Sequence, residues 1–120
     1  MSSLRIKLTE IEAATVVPVV TVFGFVPPCK EGNSFLDGLR PQLEDVAKRY
    51  AGGRVVLDFL EVEYSFGDHF GSLWLLPLRE QQCQVVIVAE GATAAAFQDL
   101  LGPDSVPVVN TLAQALEVPL

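Results

Sequence analysis

Leu4, Ile6 and Leu8 alternate with Arg5, Lys7 and Thr9, the period-two pattern of a strand with one wet face. Val16 to Val26 is nearly all apolar and rich in β-branched residues, which predicts a second strand. The two read as an antiparallel pair joined near Glu12-Ala13-Ala14. Pro18 cannot donate to a ladder, so it is expected at an edge, an end or a bulge. Pro27-Pro28-Cys29-Lys30-Glu31-Gly32-Asn33 follows as a loop, with proline and glycine as punctuation.

Ser34 with Asp37 three residues on has the form of a capping box at the start of a helix. Phe35, Leu39, Leu43, Val46, Ala47 and Tyr50 fall on one helical stripe. Pro41 either kinks that helix or stands in the first turn of one starting near Arg40. Ala51-Gly52-Gly53 ends it, as glycine commonly does.

Arg54 to Leu60 is a short apolar run that suits a strand buried on both faces. After a polar turn, Phe70, Leu73, Trp74 and Pro77 recur at helical spacing. Gln84 to Ala89 repeats the strand pattern, and Gly91 marks the turn into an alanine-rich helix over 92–101. Val106 to Val109 is a brief last strand. Asn110 or Thr111 then caps a helix carrying Leu112, Ala113, Ala115 and Leu116. The order β-β-α-β-α-β-α-β-α predicts an α/β fold, a mixed sheet of about five strands with about four helices mainly on one face.

Composition narrows the function. At 120 residues, half of them hydrophobic, residues 1–120 read as one ordered domain. The longest apolar stretch, Val16 to Pro28, is interrupted by Pro18, Thr21 and Gly24 and is too short to cross a bilayer. The first residues lack a basic-then-apolar signal pattern, so a cytoplasmic location is the simplest reading. Eight basic against fifteen acidic side chains give a formal charge of −7. That disfavours nucleic acid and anionic lipid, both of which need a basic patch.

Metal, cofactor and catalytic chemistry find no foothold. Cys29 and Cys83 lack zinc spacing, and with the single His69 they are too few to ligate zinc. Free thiols are the default for a cytosolic chain, Cys83 half-buried and Cys29 in a loop. Neither Gly52-Gly53 nor the stretch Gly67 to Gly71 matches a phosphate-binding or dinucleotide fingerprint. His69 adjoins Asp68, but neighbouring helix residues do not face each other, so no acid–base pair follows. An exposed first-turn histidine, open to a pH-sensitive contact, is expected instead. Glu61 and Glu63 read as solvent-facing carboxylates on an extended segment.

The turn between the central strand and the second helix is the exception. Free N–H groups and the dipole at a helix N-terminus favour negative charge, and Asp68 sits where that charge belongs. The plain alternative is an ordinary N-cap, worth ~1 kcal/mol to the helix. Ser65 and Ser72 are the nearest hydroxyls and the candidate phosphorylation sites; phosphate on Ser65 would gain more from the helix N-terminus. Their plain readings are a turn residue and a surface helix residue. Phe66, Phe70 and Trp74 recur at every fourth position. Phe70 and Trp74 read as core, while Phe66 fits either core or an exposed aromatic anchor.

Val19-Val20-Thr21-Val22-Phe23-Gly24-Phe25, Arg54-Val55-Val56-Leu57-Asp58 with Val62 and Tyr64, and the tail 106–116 resemble three stretches of the STAS family, the sulfate-transporter and anti-sigma-factor-antagonist domains. The resemblance covers nearly the whole chain and rests on the joint order and spacing of these stretches. Regulated members carry Asp-Ser-Ser-Gly-Leu-Gly at the start of the second helix, and a partner kinase phosphorylates the second serine. Here that segment falls on Phe66, Gly67, Asp68, His69, Phe70 and Gly71, so the acceptor position holds a carboxylate and no hydroxyl.

The resemblance implies a non-enzymatic interaction module that needs no cofactor. Its partner would be a protein, an anti-sigma factor or kinase-like molecule or another signalling complex, met through Phe66 to Ser72. Asp68 would act there as a permanent phosphate mimic. A scaffold or transport-complex subunit is the same-class alternative. A nucleotide- or lipid-binding domain is the other, its pocket lined by Gly91-Ala92-Thr93 and Phe66 to His69 at the carboxyl ends of the strands. The wide apolar second strand also allows a homodimer.

Overall fold

The computed structural model describes residues 5–12, 16–26, 29–64, 70–101 and 106–118. Five strands, β1 (Arg5–Glu12), β2 (Val16–Val26), β3 (Arg54–Tyr64), β4 (Gln84–Val88) and β5 (Val108–Val109), form one sheet in the order β1-β2-β3-β4-β5. β1 runs antiparallel to β2, and every later neighbour is parallel. This is the mixed α/β sheet expected from the alternation of strand and helix patterns.

Strand order that runs steadily outward puts successive right-handed crossovers on one side. Helices α1 (Cys29–Arg49), α2 (Leu76–Glu80) and α3 (Gly91–Leu101) accordingly cover the same face. Their core with the sheet includes Leu36, Leu43, Phe59, Phe70, Trp74, Ile87 and Phe97, all at most 1 % exposed. Each such side chain contributes roughly 1.5–3 kcal/mol by leaving water. Helix α4 (Leu112–Glu117) packs instead on the opposite face, over Val17, Val19, Val56, Val86 and Val88.

Sequence pattern and structure part at α1. The helix begins at Cys29, so residues 29–33, expected in a loop, are its first turns. Ser34 lies inside the helix and its hydroxyl donates to the Lys30 carbonyl at 3.2 Å, the bond a helical serine makes when it is not a cap. Pro27-Pro28 directly before Cys29 was the better start marker, because proline suits a helix's opening residues. Pro41 is therefore internal. It removes the bond to the Asp37 carbonyl, but both residues lie on the exposed side, where water can replace the donor. Gly52, at φ 79°, turns the chain after α1 in a conformation that glycine adopts at little cost.

Pro18 pairs with Glu10, and the β2–β3 ladder begins one residue later at Val19. Its missing N–H thus falls at the end of that ladder. β3 runs past Leu60 to Tyr64, and it does so through a bulge. Thr21 pairs with Asp58 but Phe23 with Glu61, so β3 carries one residue more than β2 over that interval. The Leu60 N–H donates to Asp58 Oδ1 at 3.0 Å across the irregularity. The last strand is shorter than its apolar run, with only Val108 and Val109 paired to β4. Thr111 caps α4 in a reciprocal box with Gln114, its hydroxyl accepting from the Gln114 N–H at 3.1 Å.

Candidate functional site

β2, β3 and β4 are parallel, so their C-terminal ends, Val26, Tyr64 and Val88, lie on one side of the sheet. α1 and α3 start on that side, and the helical segment beginning at Phe70 follows β3. This is the edge where open α/β sheets usually place function. Ser65, Phe66, Gly67, Asp68 and His69, which link Tyr64 to Phe70, lie outside the described residues. The site is therefore built from what brackets them.

On the strand side, Thr93 Oγ1 of α3 donates to the Val62 carbonyl at 3.3 Å. Gly91, at φ 60°, makes the turn that brings α3 to this position. On the helix side, Phe70 is fully buried. The sequence grouped Phe70 both with the core and with the partner-binding stretch. Its burial agrees with the first.

Phe70 belongs to a four-ring cluster. Phe59 of β3 and Phe97 of α3 meet edge to face at 4.7 Å, Phe70 meets Phe97 at 5.0 Å, and Phe70 meets Phe59 at 5.8 Å. Trp74 lies 5.7 Å from Phe59 and 5.5 Å from Phe70. Edge-to-face pairs add about 0.5–1.5 kcal/mol beyond area burial. Trp74 Nε1 also donates to the Leu36 carbonyl of α1 at 2.8 Å, satisfying a buried indole. β3, α3 and α1 are thus all clamped to the segment that follows the turn.

That segment is unusual. Gly71 to Leu75 form a π-helical turn, followed at once by α2 with Pro77 in its first turn. Pro77 has no N–H for the Leu73 carbonyl, and its ring would crowd that carbonyl in a regular α-turn. A wider turn upstream relieves the conflict, and such turns recur at functional sites. The spacing of Phe70, Leu73, Trp74 and Pro77 revealed a helix, but only the proline hinted at its irregular pitch.

Two contacts had no sequence signal beyond a lone polar residue. Arg54, opening β3, donates through Nε to Gln84 Oε1 at 2.8 Å. Its terminal nitrogens donate to the carbonyls of Ala115 at 2.9 Å, Leu116 at 3.0 Å and Val118. It thereby caps the C-terminus of α4 with a cation. Tyr50 donates its hydroxyl to Glu10 at 2.5 Å, and this bond to a carboxylate holds the phenol above its ordinary pKa. Cys83 is a free thiol, buried, and donates to the Ala47 and Tyr50 carbonyls. Burial pushes its pKa up, the reverse of what a reactive cysteine needs.

Two cavities bear on the ligand-binding alternative. One of about 480 Å³ opens at the β5 edge between α3 and α4, beside Gln98, Val108, Asn110 and Glu117. One of about 240 Å³ lies between α1 and α2, beside Glu44, Lys48 and Glu80. Neither takes in Gly91, Ala92 or Thr93. Among the described residues no three His, Cys, Asp or Glu side chains stand close enough to hold a metal, and no helix is long and apolar enough to cross a membrane.

No protein-family model and no curated protein sequence matches the chain. Solved structures do. The anti-sigma factor antagonist SpoIIAA in its unphosphorylated form superposes with a TM-score of 0.60 at 9 % identity, over 94 % of both chains. The Bacillus cell fate determinant SpoIIAA in its phosphorylated form gives 0.59 at 14 % identity, over 94 % of this chain and 97 % of the other. This chain therefore has the STAS fold of those anti-sigma factor antagonists.

Proposed function

We propose that this chain is a non-enzymatic regulatory module, a single STAS-like domain over residues 1–120 that acts in the cytoplasm by binding a protein. The partner is an anti-sigma factor or kinase-like protein, or another signalling complex. It meets Phe66, Gly67, Asp68, His69, Gly71 and Ser72, with Phe70 as the buried support behind them. Asp68 supplies a fixed negative charge where a regulated relative would carry phosphoserine, which makes binding constitutive. Ser65 and Ser72 are the hydroxyls through which phosphorylation would add control.

The supporting observation is the match to an anti-sigma factor antagonist along 94 % of both chains. A fold alone does not specify a function. What supports recognition there is that the segment following the turn in sequence, from Phe70 to Trp74, is held in a buried aromatic cluster. Affinity capture from the native host, with partners identified by mass spectrometry, tests the reading. The wild-type chain should retain a protein that Asp68→Ala loses, with both forms equally folded. Equal retention by Asp68→Ala and by a Gly67→Trp blockade would remove this surface from consideration.

A further inference from the structure

Among the described residues, no helix covers half of one sheet face. α4 packs against β4 and β5 on the side away from α1. Beyond the cluster that α4 forms with Val17, Val19 and Val56, the remaining side chains of β1, β2 and the distal part of β3 on that side are half-buried or exposed. Phe25 is 37 % exposed and Leu60, in the bulge, 38 %. Phe23 and Thr21 are half-buried, and Arg5, Lys7 and Glu61 are exposed.

The strand register orders these residues into rows. Arg5 pairs with Phe23, and Phe23 with Glu61; Lys7 pairs with Thr21, and Thr21 with Asp58. Paired residues point to the same face. Reading across three strands, each row is therefore basic on β1, uncharged on β2 and acidic on β3. Polyanions and anionic membranes would meet Asp58 and Glu61 as readily as Arg5 and Lys7, so neither suits the face. A surface carrying the mirror arrangement, acid over β1 and base over β3, does.

The chain itself supplies that surface. Turning a copy about an axis parallel to β2 and midway between the two stacked sheets brings β1 of one protomer over β3 of its partner. Arg5 then faces Glu61 of the other copy, Lys7 faces Asp58, and Phe23 meets its own equivalent, every contact made twice. An axis running across the strands would instead stack Arg5 and Lys7 on themselves. We propose that a second copy of this chain packs on this face, in an aligned sheet-on-sheet arrangement with its two-fold along β2. This goes beyond the partner-binding reading and does not depend on it.

The patch spans three strands spaced ~4.8 Å apart and falls short of the ~800 Å² per partner of a standard interface. The dimer is therefore weak and depends on concentration. Sedimentation equilibrium of the full chain from micromolar to millimolar concentration reads it. Arg5→Glu and Glu61→Lys, both at exposed positions, should each weaken association about tenfold by placing like charges opposite one another. The double variant Arg5→Glu/Glu61→Lys should recover wild-type affinity, and the two single variants mixed should form a heterodimer, because each then meets its opposite charge. Phe25→Ser should weaken all of these forms. A chain that stays monomeric at millimolar concentration would overturn the proposal. So would a dimer unmoved by Glu61→Lys, which would point to β1 edge pairing, or the absence of charge-swap recovery.

Discussion

Arg54 opens the central strand and donates to the Ala115 carbonyl at 2.9 Å, although the two are separated by 61 positions in the chain. The same guanidinium reaches Leu116 and Val118, so one side chain closes the end of α4. Bonds to a charged donor contribute about 1.5–3 kcal/mol each when measured singly, and a shared donor does not sum them. Arg54→Met should lower unfolding free energy in urea by roughly 2–3 kcal/mol. Amide exchange in α4 should accelerate before any other element. Arg54→Lys should recover only part, since an ammonium lacks the planar fork.

Trp74→Phe keeps a ring in the aromatic cluster but removes the donor to the Leu36 carbonyl. Losing that buried hydrogen bond together with part of the indole's volume should destabilise the chain by about 1–3 kcal/mol. Backbone amide shifts should move in Phe70 to Leu75 and in α1 near Leu36. They should stay fixed in α4, which packs on the other face.

Two glycines should respond in opposite directions. Gly38 lies within α1 with nothing within 4 Å of an added Cβ. Gly38→Ala should stabilise by about 0.5–1 kcal/mol through better helix propensity. Gly52 has equally open surroundings but a φ of 79°. Gly52→Ala should destabilise by about 1–2 kcal/mol, since a side chain disfavours that backbone. Thermal melts of the pair would separate backbone conformation from crowding.

Cys83 gives the fold an alkaline limit. Its pKa in the folded chain is raised by burial, so the unfolded chain releases the thiol proton first. The associated stability is complete below the ordinary thiol pKa of about 8.5 and falls as pH rises from there through the higher folded value. Cys83→Ala should show a flatter stability profile across that window, despite a lower plateau from the lost side chain. Native Cys83 should also react more slowly with a thiol reagent than the urea-unfolded chain at the same pH.

Most of the architecture was readable because it depends on periodicity. Alternation in β1, the β-branched run of β2 and the stripe from Leu39 to Tyr50 leave few arrangements for the chain. The boundaries that failed turn on competing local chemistry. Ser34 and Asp37 have capping residue types, but a helix already under way converts the serine to an i−4 donor. Phe70 was legible as a helical apolar residue because Leu73, Trp74 and Pro77 follow it at helical spacing, and its burial agrees with that. Arg54 left no pattern at all, since its acceptors are main-chain carbonyls contributed by a distant segment.

The extra residue in β3 has a consequence for the chain's tolerance of insertion and deletion. Phe59 and Val62 both reach the helix-covered core because Leu60 and Glu61 together occupy one step of the pleat. Deleting either would restore strict alternation and still leave Val62 against Gly24, facing the core as it does with the bulge in place. With Leu60 gone, Glu61 would stand against Phe23 and Val62 against Gly24, the pairs they already form. A single lost codon at the bulge should therefore be absorbed, whereas one lost between Val55 and Leu57, where side chains alternate strictly between the two faces, should throw the strand out of step with both cores.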